Sequence, residues 1–160
     1  MKRLRVFLPP NRVQPGWAHL IGSTGAVIES WPILGKADNA KAAAKGNPTR
    51  DPLRPFGDTP TGDYAPVKVV EFTDAELAKG TSVGRRWFHL RGTGGDAAIA
   101  CGPVVGAFNA GARTGLGLHA GRPGERLVPT YGCLRMLEND LEDLCAAVGD
   151  DALQVSVEEV

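Results

Sequence analysis

The sequence predicts a mainly β domain, of sandwich or barrel-like form, with a few short α-helices. Three observations lead there. Glycine (21) and proline (12) make up about a fifth of the 160 residues, below the roughly 25–30 % of low-complexity disordered chains but enough to punctuate many short elements. Only 6 % of residues are aromatic, which suits long loops around a small core. Several short runs alternate apolar and polar residues, the period of a half-buried strand.

The elements follow in order. Residues 3–8 read as a short strand. The run WAHLIGSTGAVIESWPI reads as a hairpin, with Ala18 to Ile21, a Gly-Ser-Thr-Gly turn, then Ala26 to Trp31. NAKAAAKG predicts a short helix with Asn39 as N-cap and Gly46 past its end. NPTRDPLRPFGDTPTGDYAP is turn-forming throughout and predicts a long ordered loop. VKVVEF is a strand. Thr73 and Glu76 have capping-box spacing, so DAELAK is a short helix closed by Gly80. RRWFHL and AAIACG read as strands around the turn RGTGG. TGLGLHAG is a short apolar segment that delivers His119 into a Gly-rich loop. Leu137, Leu141, Leu144, Cys145 and Val148 recur at helical spacing, and Gly149 follows as a C-cap. ALQVSVEEV ends the chain as a strand. With no repeat and no linker, residues 1–160 are expected to form one domain, and a monomer.

Charge excludes some functions. Eighteen basic residues balance eighteen acidic ones, and no basic block exists to hold nucleic acid or an acidic membrane. No window approaches the roughly 20 apolar residues of a membrane span, so no membrane insertion is expected. MKRLRVFLPP has the cations of a signal peptide, but its apolar stretch is Val6, Phe7 and Leu8 alone, short of the roughly 7–15 residues that export needs. RGTGGDAA lacks both the Gly-Lys-Ser/Thr ending and the G-x-G-x-x-G spacing of phosphate loops.

The cysteines are Cys101, Cys133 and Cys145. The odd number leaves one free within the chain, and none has zinc spacing. Cys145 falls on the apolar stripe of its helix and Cys101 in an apolar strand, so both are expected to be small buried hydrophobes. Cys133 differs. It follows Gly132 in the loop opened by Pro129, just before the predicted helix and near Arg135. A thiol that works as a nucleophile needs open approach, a helix start or cation to lower its pKa, and a base. His19 and His89 lie in strand-like stretches, where packing or a solvent-facing position is expected. His119 stands at the mouth of a loop, and thirteen residues separate it from Cys133, enough to bring the chain back. It is the candidate base.

LGLHAG followed by PTYGCLRM resembles the signature of the L,D-transpeptidase (YkuD-type) catalytic domain. Thr130, Gly132, Cys133, Leu134 and Arg135 match its cysteine motif, and His119 matches its base. GDTPTGDYAP resembles the family's upstream Thr-Pro-Thr-Gly-x-Tyr segment, and the opening hairpin ending in SWPILG resembles its first strands. Tyr131 stands where the family usually has a second histidine, the loop from His119 to Thr130 is shorter, and Gly121 falls one place later than the usual His-Gly. The resemblance implies an L,D-transpeptidase catalytic fold and an acyltransferase acting on peptidoglycan stem peptides. Its implied steps are proton transfer from Cys133 to His119, a thioester acyl-enzyme with loss of the terminal D-alanine, and resolution by an amine. Backbone N–H groups at Tyr131, Gly132 and Cys133 would form the oxyanion hole. Arg135, Tyr131, Thr130 and Gly121 would contact substrate, Arg135 having two equal uses, a carboxylate partner or a loop lock. No metal or organic cofactor is implied. The alternatives are a carboxypeptidase or endopeptidase with water as acceptor, including an exported antibacterial effector, and a catalytically weak wall-binding module. The implied substrate lies in the cell envelope, which the short N-terminal apolar run does not explain.

Overall fold

The computed structural model describes residues 1–79, 83–121 and 126–160. Along the chain run β1 (Lys2–Leu8), β2 (Gly16–Ile21), β3 (Val27–Ile33), α1 (Asn39–Ala44), β4 (Gly62–Val67), β5 (Val69–Glu71), α2 (Asp74–Ala78), β6 (Arg86–His89), β7 (Gly92–Gly94), α3 (Gly95–Cys101), β8 (Val104–Val105), β9 (Phe108–Asn109), β10 (Gly117–His119), β11 (Leu134–Arg135), α4 (Glu138–Val148) and β12 (Leu153–Glu159). A six-stranded sheet has the order β3-β2-β1-β12-β4-β7, a four-stranded sheet the order β11-β10-β6-β5, and β8 pairs with β9. The mainly β expectation with a few short helices holds.

Alternation builds the large sheet. In β1, Leu4, Val6 and Leu8 are fully buried, and in β12 so are Leu153 and Val155, with Val157 nearly so. Their parallel register, Leu4↔Val155 and Val6↔Val157, lays the two apolar faces side by side. The smaller sheet adds Phe88, Leu118 and Leu134 to the same core, and α4 adds Leu141, Leu144 and Val148. Each such fully buried side chain stabilises the fold by roughly 1.5–3 kcal/mol. Arg86 of β6 holds α4 with a forked ion pair to Glu142, at 2.9 and 3.1 Å.

Several boundaries differ from the sequence reading. AAIACG is helix α3, not a strand. Ala97, Ala100 and Cys101 share its buried side while Ile99 is exposed, and alanine-rich runs of this length favour helix when the chain can turn into them. Cys101 is thus buried on a helix. Strand β4 takes GDYAPV out of the predicted loop. A register shift between Leu153 and Val155 of β12 breaks its alternation and hides the period-2 signal. VKVVEF splits at Lys68, and β5 crosses to the smaller sheet. The N-cap of α1 is Asp38, which accepts from Lys41 N at 2.8 Å, rather than Asn39. The capping box of Thr73 and Glu76 forms as expected. Gly80, expected to close α2, lies outside the described residues.

The correction that matters most for function concerns Cys133. It does not sit at a helix start. β11 intervenes, and Leu137 is the extended N-cap of α4. Leu134 and Met136, both buried, hold this stretch extended, so β11 and the Leu137 cap separate Cys133 from the first turn of α4.

Candidate functional site

The smaller sheet positions the candidate residues. β10 and β11 are parallel, with Leu118↔Leu134 and His119↔Arg135 in register. Leu118 and Leu134 point into the core. By alternation their neighbours point the other way, so His119, Arg135 and the preceding Cys133 share the opposite face. All three line one cavity of about 360 Å³, together with Asp38, Lys41, Trp87, Thr130 and Tyr131. Cys133 and His119 are therefore brought together by strand register.

β6 adds a residue the sequence reading missed. Trp87 lies directly opposite His119, and the two rings stack at 5.4 Å with an interplanar angle of 17°. The indole also covers Gly117, where an added Cβ would lie 2.2 Å from the ring. That contact is possible only for glycine. The one hint in the sequence was the alternation of Trp87, Phe88 and His89, which sets Trp87 opposite to the buried Phe88.

His119 is 3 % exposed. Its Nδ1 lies 2.8 Å from Ala120 O. A carbonyl only accepts, so Nδ1 carries the proton and Nε2 keeps its lone pair. Burial, opposed by the hydrogen bond to the Ala120 carbonyl and aided by the charge of Arg135, brings the imidazole pKa down to about 4. At neutral pH His119 is an uncharged base. Burial also raises the Cys133 thiol, against a backbone hydrogen bond from Gly117 and the positive charges of Arg113 and Arg135. The resting pair is thus neutral thiol and neutral imidazole.

The loop before Cys133 is fixed at Thr130. Its backbone bonds Lys36 O and Asp38 N at 3.1 and 2.8 Å. Its hydroxyl accepts from Gly132 N at 3.0 Å and donates to Cys133 O at 2.9 Å. The Gly132 N–H is thus engaged by the Thr130 hydroxyl, and that hydroxyl is engaged within the loop, while Thr130 still lines the cavity. Gly132 adopts a φ of 115°, which suits glycine alone among common residues. Gly121 does not line the cavity, and its N–H bonds Glu138 Oε2 at 3.3 Å. Tyr131 stands at the rim, 60 % exposed, edge-on to Phe56 at 6.0 Å with Lys41 Nζ 5.6 Å from its ring centroid. Arg135 is buried in the cavity wall and donates to Val128 O at 3.2 Å.

The remaining candidates stand apart. His19 bonds Ser30 Oγ, and His89 packs against Phe108. Cys145 is half-buried beside the core rather than fully buried, and no disulfide forms. Arg113, buried beneath Gly132, had no signal in AGARTG.

Together these features define a β-rich fold with a sheltered cysteine and histidine in one cavity. Known structures share that fold. Bd1075 from Bdellovibrio bacteriovorus aligns with a TM-score of 0.58 at 12 % identity, over 98 % of this chain and 48 % of that one. Pgp2 from Campylobacter jejuni, a helical cell shape determining protein, aligns with a TM-score of 0.53 at 17 % identity, over 99 % of this chain and 48 % of that one. The chain spans about half the length of these structures. No family model and no curated protein matches the sequence.

Proposed function

We propose that this chain is a cysteine acyltransferase of the L,D-transpeptidase kind, acting on peptidoglycan stem peptides. The observation that carries the reading is the placement of Cys133 and His119 on one strand face in one cavity, with the imidazole Nε2 unprotonated. The fold shared with a helical cell shape determining protein and the motif around Cys133 support the wall as the place of action.

His119 Nε2 takes the thiol proton as sulfur attacks the carbonyl of the third stem residue. The tetrahedral oxyanion is met by the Cys133 N–H, since Gly132 N–H is engaged elsewhere. The imidazolium returns its proton to the departing D-alanine amine, leaving a thioester. An amine from a second stem, giving up its proton to His119, restores the thiol and forms the cross-link. Water in place of the amine gives a shortened stem by the same steps. Lys41 supplies a cation in the cavity for a substrate carboxylate, and Arg135, bonded to Val128 O, locks the loop before Cys133.

Intact mass after incubation with a carbapenem, which acylates such cysteines, tests the reading. A covalent adduct on Cys133, absent in Cys133→Ala, is expected. No adduct on a reduced thiol would instead indicate a wall-binding module. Product analysis on purified stem peptides then separates cross-linking from hydrolysis.

A further inference from the structure

Arg113 lies between β9 and β10, outside the cavity wall, and is 3 % exposed. Its guanidinium donates to three carbonyls of the loop before β4: Nη1 to Pro52 O at 2.6 Å and Asp58 O at 2.9 Å, and Nη2 to Gly57 O at 3.0 Å. The same group packs against Gly132, where an added Cβ would lie 2.0 Å from Nη2 and 2.5 Å from Gly57 O. Thr59, next in that loop, donates its hydroxyl to Gly132 O at 2.6 Å. Loop, guanidinium and Gly132 form one packed stack, and Cys133 is the next residue.

The charge balance is informative. A buried cation is costly unless it is paired or fully hydrogen-bonded. Among the described residues, no carboxylate forms an ion pair with Arg113. The nearby Asp58 carboxylate is engaged by Arg50 at 3.1 Å and Ala37 N at 2.8 Å. Neutral carbonyls accept three hydrogen bonds from Arg113 but do not cancel its charge, which arginine keeps in proteins. Its field remains available to an anion that appears nearby.

We propose that Arg113 is a positioning residue for Cys133: it clamps the loop of residues 52–59 against Gly132 and supplies a fixed positive charge to the thiolate as it forms. The proposal rests on Cys133 being the nucleophile. Arg113 opposes the effect of burial on the thiol, consistent with this geometry. The other charged and titratable groups around the thiol are Arg135, His119 and Tyr64, with Asp38 and Lys41 across the cavity.

The test is the pH dependence of Cys133 alkylation by iodoacetamide, followed by peptide mass mapping in the full chain, in wild type, Arg113→Gln and Arg113→Lys. Alkylation reads the thiolate whether or not the chain turns over a stem peptide, so failure of the transferase reading does not decide it. Arg113→Gln should raise the midpoint by about one pH unit, the effect of losing one nearby opposite charge, while Arg113→Lys should hold it near wild type. Lysine cannot span three carbonyls as the guanidinium does, so in Arg113→Lys the loop of residues 52–59 should be cleaved by added protease about threefold or more faster than in wild type. An unmoved midpoint in folded Arg113→Gln overturns the proposal, and so does an equal rise in both variants. If Arg113→Gln does not fold, Arg113→Lys decides: a wild-type midpoint with faster cleavage of the 52–59 loop upholds the proposal, and a raised midpoint or a wild-type cleavage rate overturns it.

Discussion

Acidification should weaken this fold through His119, by an amount the structure sets. The imidazole has an ordinary pKa of 6.5 that burial and Arg135 push down to about 4. The unfolded chain therefore takes up a proton at this residue before the folded chain does. Stability is fully present above pH 6.5 and is lost as pH falls from 6.5 towards 4. The gap of about 2.5 pH units, at about 1.4 kcal/mol each, limits the loss to about 3 kcal/mol, and most of it, roughly 2–3 kcal/mol, is gone by pH 4.5. Other groups contribute to the pH dependence of both proteins alike, so the comparison must be with His119→Gln, which keeps a donor for Ala120 O and has no proton to gain. Urea unfolding of both proteins at pH 7.5 and 4.5 supplies the four free energies. Wild type should lose roughly 2–3 kcal/mol more than the variant between the two pH values. Losses parallel to within about 0.5 kcal/mol would mean that His119 is not held neutral by burial, and the case for an uncharged base would fall with it.

Other outcomes follow from the same contacts. Cys133→Ala should abolish carbapenem acylation while leaving the unfolding free energy within about 1 kcal/mol of wild type, since a half-buried loop thiol carries little packing. In acylation rate against pH, the rising limb should lie near pH 4, the folded pKa of His119, rather than near 6.5, and His119→Ala should remove it. Gly117→Ala forces a methyl to within 2.2 Å of the Trp87 ring; it should cost about 1–3 kcal/mol in thermal or urea unfolding, shift the tryptophan emission and slow acylation. Tyr131→His should change stability by less than about 1 kcal/mol, because the ring is mostly exposed and its edge contact with Phe56 is modest. Its stem-peptide turnover should stay within about threefold; a loss of about 10- to 100-fold would reveal a substrate bond from the hydroxyl.

What the sequence made legible was whatever depends on neighbours in the chain. The β1 strand, the β2–β3 hairpin, the Thr73 capping box and the apolar stripe of α4 are local patterns, and each folds nearly where its pattern lies. The errors fall where tertiary partners overrule the pattern. GDYAPV becomes β4 because β12 and β7 accept it on either side. AAIACG had too few residues to distinguish a period of 2 from 3.6. The helix start expected just after Cys133 became a two-residue strand because Leu118 and Leu34 pair with it.

The site divides along the same line, and this bears on how its chemistry is set. Cys133 and His119 were legible as types in a loop context, and of the two expected activators, a helix start or a cation, the helix start does not follow Cys133 directly. Arg135, two residues on, is the cation the sequence offered, and groups distant in sequence join it: the Gly117 N–H and Arg113 on the thiol, and Trp87 stacked on the base. These exist as a site only once β6, β10 and β11 are in register. Gly117 shows the coupling most directly, since the lack of a side chain there admits Trp87, while its N–H bonds the thiol. A thiol raised by burial and an imidazole lowered by burial are both uncharged at rest, so in the proposed function ionisation would coincide with substrate entry and attack. On that proposal the pair is unreactive towards water at rest, and the thiol becomes nucleophilic as its proton moves to His119 within the cavity.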